Sequence, residues 1–402
     1  MNEGGSYYLY DEKIILDQLA ILKNAFPQVR IFYSAKTNPN KNILETLTKN
    51  GCGIDAASSA EVGYAAALNL AKEDISYSSP GKTKEDIKRT ICVCRIVADS
   101  FSELELINET AKEKGLTAEI SLRINPDFSM FGADGLPSQF GVDEEAVLSH
   151  KPFIDSLTNV KITGIHVHIQ SQILDWAVLS RYYENVFRLA VFLKNSGFDI
   201  KIINFGSGPG VVYDRTSEKP LDIERLSKDM SLFIEKYNSV LNAELIIEPG
   251  RFLVCQAGNY FTKIVDKKIS RGTVYLIVEG GLNGFMRPCA ANLVKKFAKE
   301  ISFSAEPLIT NNNPCEFFVL NDSTRKEIVT VAGNLCSGSD ILAKDVVLNE
   351  AKVGDMIMVT NAGSYGYSLS VREFAGQRTP KEYFKTLSGE ILCTASNRFS
   401  LF

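Results

Sequence analysis

Histidine, tryptophan and closely paired cysteine are scarce in this 402-residue chain. It has three histidines, one tryptophan and eight scattered cysteines with no CxxC pair. Without close-set Cys and His groups, neither a zinc site nor a disulfide framework is expected, and free thiols suit a reducing cytoplasm. Cys92 and Cys94, two apart, read as buried thiols on one face of a strand. No apolar run approaches the roughly 18 residues that a membrane span requires. Met1–Tyr10 lacks a basic region followed by an apolar core, so no secretory signal is expected. The net charge of -4 argues against nucleic acid or an anionic membrane as the main partner.

What is present is a rhythm. Short apolar runs at Ile31–Thr37, Gly53–Ser58, Ile75–Ser79, Cys94–Ser100, Ala118–Asn125, Ile162–Ile169, Lys201–Gly206 and Glu244–Glu248 alternate with amphipathic helical patterns. Eight strand–helix repeats over roughly 240 residues predict a (β/α)8 barrel, the usual size for that fold. An open doubly wound sheet also alternates, but no GxGxxG follows the first strand. Ser100-Phe-Ser-Glu103 fits a capping box, Thr83-Lys-Glu-Asp86 is a weaker version, and Asp143 is placed to cap a helix. Gly115 and Gly197 close helices. After Arg251 the pattern becomes short strands with turns at Gly280-Gly281, Asn311-Asn-Asn-Pro314 and Asn361-Ala-Gly363, which predicts a mainly β barrel or sandwich. The expected division is a barrel over 11–255 and a β domain over 256–402, joined by residues 1–10.

Active sites of (β/α) barrels lie at the C-terminal ends of the strands. Read in order, those ends carry Lys36, Asp55, Ser79-Pro-Gly-Lys82, Asp99, Arg123, His168, Gly206-Ser207-Gly208-Pro-Gly210 and Glu248-Pro249-Gly250-Arg251. Desolvation beside an apolar strand is expected to lower the Lys36 pKa and sharpen its amine as a nucleophile. The glycine loop after the seventh strand suits an anion, since glycine lets backbone N–H groups approach closely. His166 and His168 share a strand face; a metal pair would lack an obvious third ligand, and His168 is placed to stack on a ligand ring. Residues 125–141 form a long loop at a strand's C-terminal end, where active-site loops belong.

A lysine, an anion loop, a stacking histidine and a carboxylate together point to pyridoxal phosphate. Here the chain resembles the fold-type III pyridoxal phosphate decarboxylases, the family of the diaminopimelate, ornithine and arginine enzymes, with an alanine-racemase-type barrel. The motifs run nearly end to end: Tyr7-Tyr-Leu-Tyr-Asp11, Phe32-Tyr-Ser-Ala-Lys36-Thr-Asn38, His166-Val-His-Ile-Gln-Ser171-Gln172, Gly206-Ser-Gly208, Glu248-Pro-Gly-Arg251, Cys336-Ser-Gly-Ser-Asp340 and Ala362-Gly-Ser-Tyr365-Gly366. The resemblance implies that Lys36 anchors the cofactor covalently, His168 covers its ring and Glu248 meets its ring nitrogen. It implies that Ser171, Gly206, Ser207, Gly208, the Glu248, Pro249, Gly250 and Arg251 turn and Tyr365 surround the phosphate, with Asp55, Ser58, Glu61 and Arg123 nearby. It also implies a head-to-tail homodimer in which Cys336, the expected proton donor to the α-carbon, and Asp340 reach the active site of a second copy.

The substrate positions depart from diaminopimelate decarboxylase. That enzyme has a glutamate directly after the motif cysteine; here it is Ser337. Arg287-Pro-Cys-Ala-Ala291 lacks the tyrosine that follows the motif arginine, and Gln170 replaces a usual glycine. Losing a charge partner for a distal ammonium weakens recognition of that group. The chain is therefore expected near the siderophore and antibiotic branch, acting on a conjugated or carrier-attached amino acid, with Arg251, Arg287, Ser337 and Asp340 as substrate contacts. Free diaminopimelate is the alternative substrate. A racemase of this fold is disfavoured, because such enzymes place arginine at the ring nitrogen where this chain has Glu248. A non-catalytic pyridoxal phosphate carrier is disfavoured by the second domain and by the presence of both Lys36 and Cys336.

Overall fold

The computed structural model describes residues 5–132, 134–297 and 314–394. Strand β1 (Tyr7–Asp11) leads into a helix over Glu12–Ala25. The barrel then runs through β2 (Val29–Ser34), β3 (Gly53–Ala56), β4 (Ile75–Tyr77), β5 (Arg95–Ala98), β6 (Ala118–Asn125), a two-residue extension β7 (Val142–Asp143), β8 (Val160–His166), β9 (Ile202–Asn204) and β10 (Glu244–Ile247). All neighbours are parallel; β10 pairs with β2, and β5 with β6. These pairings close an eight-stranded barrel to which β7 adds an edge. The strands are buried on both faces, so they read as continuous apolar runs rather than alternating ones.

Register builds the site. Ser34 lies opposite Asp55, and Arg123 opposite His166, which in turn lies opposite Asn204. One layer near the C-terminal rim is thus polar, while Ile54, Ile96, Leu122, Ile165, Ile203 and Ile246 are buried among the strands.

Beyond the barrel lie β11 (Gly258–Ser270), β12 (Thr273–Val278), β13 (Phe317–Val319), β14 (Lys326–Gly333), β15 (Ile341–Asn349), β16 (Met356–Val359), β17 (Lys381–Lys385) and β18 (Ile391–Thr394). With β1 they form a nine-stranded mixed sheet that branches at β11. β1 is antiparallel to β11 and parallel to β17, so the strand preceding the barrel belongs to the second sheet.

Several local expectations change. The strand before Lys36 ends at Ser34, and Lys36 sits in a 3-10 turn over Ala35–Thr37. Cys94 is buried but Cys92 is exposed, because residues 91–93 turn before β5 begins. The complete capping box is at Thr83 and Asp86. Ser100 Oγ accepts from Glu103 N, but the Glu103 carboxylate instead binds the amides of Lys82 and Asp99. Asp143 makes no side-chain cap; it accepts from Asn125 Nδ2 at 2.8 Å. The helix Met286–Phe297 and strands β15 and β17 have no counterpart among the expected elements. The turn expected at Asn311-Asn-Asn-Pro314 lies, up to Asn313, outside the described residues.

Candidate active site

A cavity of about 600 Å³ opens at the C-terminal rim of the barrel. Ten of the anticipated residues line it: Lys36, Asp55, Arg123, His168, Ser171, Ser207, Glu248, Gly250, Arg251 and Tyr365. They come from both parts of the chain, since Tyr365 reaches in from the turn after β16. Its amide donates to Thr37 O at 2.8 Å, and its left-handed φ of 53° aims the side chain back at the barrel. Gly250 permits this approach, because a Cβ there would overlap Thr37 Oγ1.

The charged groups sort by partner. Asp55 is buried and accepts from Ser34 Oγ at 2.9 Å and Ser78 Oγ at 2.6 Å. Burial and the neighbouring Glu248 raise its pKa. Glu248 accepts from Asn204 Nδ2 at 2.6 Å on one oxygen, and its other oxygen lies 3.0 Å from His166 Nε2. Burial works against its charge, but His166 and these hydrogen bonds outweigh that and hold the carboxyl below the ordinary range. Two carboxyls in one cavity are thereby pushed apart, the condition for distinct proton roles. Burial, Lys36 and Arg123 press the His168 pKa down to about 3, so the ring is neutral. Its Nδ1 accepts from Ser207 N at 3.2 Å, which fixes the imidazole.

Lys36 corrects one expectation. Crowding by protein does pull its amine down, but Asp55, Tyr365 and Glu248 together outweigh it, and the pKa is raised. Solvent also reaches the side chain through the cavity mouth, which weakens the desolvation. In this state the amine is a cation held among acids.

Other anticipated residues stand outside the lining. Ser58 caps the helix Ser59–Ala67 by accepting from Glu61 N. The Gly206 amide donates to Asn204 Oδ1, and a Cβ at Gly206 would overlap the His168 side chain, so this glycine seats the imidazole. Gly208 O accepts from Ile173 N, and Gly210 N donates back to Ile173 O, lacing the glycine loop to the loop after β8. Pro249 O accepts from Ser34 N. Lys82 and Asp99, although at strand ends, are braces. Lys82 forms a buried ion pair with Glu103 at 3.1 Å, and Asp99 lies 3.4 Å from Arg123 and accepts from Gly141 N. From the 125–141 loop, Phe140 lines the cavity with its ring 4.4 Å from the Arg123 guanidinium.

Of the anticipated substrate contacts, Arg251 alone lines this cavity. Arg287 is fully buried beneath the cavity, donating to Ser364 O and, at 2.9 Å, to Tyr213 Oη. Arg251 donates to the same oxygen at 2.6 Å, so Tyr213 ties the two guanidinium groups together. Asp340 is buried with both carboxylate oxygens accepting backbone amides, from Leu282 at 2.6 Å and Leu335 at 2.9 Å. It clasps the turn that presents Cys336 and does not face the cavity. Cys336 is exposed, and Ser337 Oγ lies 2.7 Å from Ser339 Oγ. His166, Asn204, Ser78 and Tyr213 were missed; only the His-x-His alternation signalled one of them. Among the described residues no group of three His, Cys, Asp or Glu is arranged to hold a metal, and no helix is long and apolar enough to cross a membrane.

Comparison with known proteins agrees with this arrangement. The family model for the pyridoxal binding domain of pyridoxal-dependent decarboxylases matches residues 12–255. The L-glutamyl-[BtrI acyl-carrier protein] decarboxylase of Niallia circulans is 32% identical over 94% of this chain and 88% of its own. The 2-[(L-alanin-3-ylcarbamoyl)methyl]-2-hydroxybutanedioate decarboxylase of Staphylococcus aureus is 28% identical over 96% of this chain and 95% of its own. The crystal structure of diaminopimelate decarboxylase from M. jannaschii with L-lysine superposes with a TM-score of 0.85, at 28% identity, covering 97% of this chain and 89% of that one. The donor set fits the cofactor these relatives imply: an amine, a fixed imidazole face, an ionised carboxylate and a cluster of hydroxyls with a guanidinium line one cavity. The chain belongs to the pyridoxal-dependent decarboxylase family and is a carboxy-lyase that works with pyridoxal phosphate.

Proposed function

We propose that this enzyme removes the α-carboxylate from an amino-acid unit carried as a conjugate, on a carrier protein or a small acid, in specialised biosynthesis. One observation carries the substrate reading: beside Cys336, a neutral pair of hydroxyls, Ser337 and Ser339, stands where a free distal ammonium would need a carboxylate. Two relatives that act on conjugated units, a glutamyl carrier protein and an alaninylcarbamoyl hydroxybutanedioate, support it.

In this reading the Lys36 Nζ amine would hold the cofactor covalently and would act as the nucleophile that displaces the product. Asp55 and Glu248 hold that amine's charge before the cofactor binds. His168 presents its face to the cofactor ring, held by the Ser207 amide. Glu248 holds the proton on the ring nitrogen. Ser171, Ser207, Gly250, Arg251 and Tyr365 bind the phosphate end, with Arg251 braced on Tyr213. Bound pyridoxal phosphate supplies the electron sink that makes loss of carbon dioxide feasible. Cys336 lies outside the lining of its own chain's cavity, so a head-to-tail second copy brings the thiol that protonates the α-carbon. Eight unpaired cysteines suit a reducing cytoplasm.

Diaminopimelate is the competing substrate, because the M. jannaschii enzyme superposes so well. Carbon dioxide release is measured with a carrier-tethered glutamyl unit, a citrate-type conjugate and free diaminopimelate, with Lys36→Ala as the blank. A conjugate is expected to exceed diaminopimelate in kcat/KM by about 100-fold, the discrimination that an unpaired charge imposes. Efficient turnover of diaminopimelate would overturn the proposal.

A further inference from the structure

Glu248 holds two hydrogen-bond partners of different kinds. Asn204 is itself oriented, since its Oδ1 accepts from Gly206 N at 2.9 Å, leaving Nδ2 to donate to Glu248. His166 reaches the other oxygen through Nε2 at 3.0 Å. A carboxylate can only accept, so the imidazole proton sits on Nε2. His166 is 1% exposed, and its Nδ1 is buried with no hydrogen-bond partner. The Nε2 donor thus fixes one carboxylate oxygen while Asn204 fixes the other, and the carboxylate so held lines the cavity.

We propose that His166 is a positioning residue: a donor that orients Glu248 through Nε2 so that its carboxylate is aimed at the protonated ring nitrogen of the cofactor. The inference rests on the reading of Glu248 given above. Other titratable groups face the same carboxylate: Asp55 from β3, Lys36 after β2, Arg123 from β6 and His168 after β8. A pH effect alone would not isolate His166, and the test uses its two nitrogens instead.

A glutamine amide nitrogen can occupy the place of Nε2, whereas an asparagine amide nitrogen mimics Nδ1, which has no partner. His166→Gln and His166→Asn are compared with the parent and with Glu248→Gln. The readouts are the Kd for pyridoxal phosphate, the pH midpoint of the bound cofactor's visible absorbance, and the Tm of each cofactor-free protein. H166Q is expected to bind like the parent, and H166N about tenfold more weakly, with its midpoint moved toward that of E248Q. Equal behaviour of H166Q and H166N, with E248Q impaired, would overturn the role of His166 and leave that of Glu248 intact. A Tm loss shared by both His166 variants without a difference in cofactor binding marks a packing role and overturns it too. An E248Q protein that binds and titrates like the parent overturns the reading of Glu248, and the inference with it.

Discussion

Glu248 and Asp340 are both buried carboxylates with each oxygen near a donor, yet they do opposite work. Glu248 is held by side chains, His166 and Asn204, that rise from neighbouring barrel strands. Those partners sit to one side, and the carboxylate lines the cavity. Asp340 is held by the backbone amides of Leu282 and Leu335, and Gly281 and Gly333 press so close that a Cβ on either would overlap its carboxylate. Its charge is enclosed in the clasp of a turn. A buried carboxylate is available for chemistry when its partners leave one side open, and is structural when main chain surrounds it.

Substitution separates the two. Glu248→Gln keeps size and hydrogen-bonding capacity but removes charge, and is expected to lower kcat by about 10²–10³-fold with little change in Tm, the scale of removing one electrostatic group from an active site. Asp340→Ala leaves two amides without their acceptor. It is expected to lower stability by about 2–4 kcal/mol in denaturant melts while the cofactor band of the folded protein persists. If Asp340→Ala instead left stability intact and removed activity alone, the two carboxylates would belong to one class.

Glu61 is the intermediate case and the smallest effect. One oxygen accepts from Ala57 N at 2.7 Å, and burial raises its pKa to about 7. Its folded pKa lies above the unfolded carboxylate value of 4.5. Its contribution to stability is therefore fully present below pH 4.5 and lost as pH rises through 7. Raising the pH from about 5 to about 8 should lower the Tm of the parent, relative to Glu61→Gln, by roughly 2 °C. A parallel pH response in the two proteins would remove Glu61 from the comparison.

The barrel was legible because its strands are short apolar runs separated by helices with readable starts, and because polar residues at strand ends have no other reason to gather on one rim. Lys36, Asp55, Arg123, His168 and Glu248, read at those strand ends, line one cavity. The second sheet was half legible: the burial of β15 and β17 does not alternate cleanly, and β17 pairs with β1 from the far end of the chain. Braces were the hardest to see. Lys82 and Asp99 look like rim residues in the sequence, and only their partners, Glu103 and Arg123, show them to be supports. The bracing of Asp340 and Arg287 within their own chain was also hidden, since a motif position gives a residue type but not the direction it faces. The pKa of Lys36 also escaped, because it depends on Asp55 and Glu248 from the barrel and on Tyr365 from the turn after β16, which only the tertiary fold brings together.

The position of β1 bears on how the protein is made. β1 emerges from the ribosome before any barrel strand, and its parallel partner β17 emerges after all of them, with Tyr7 paired to Lys381 across 374 residues. The barrel can close during synthesis and β1 can then pair with β11, whereas the other edge of β1 waits for β17 to arrive. Until then Tyr10, wholly buried in the finished protein, lacks its hydrogen-bond partner Glu382 on β17. Tyr365 reaches the cavity from the turn between β16 and β17. Folding therefore completes the active site only when the late strands lock the early one in place.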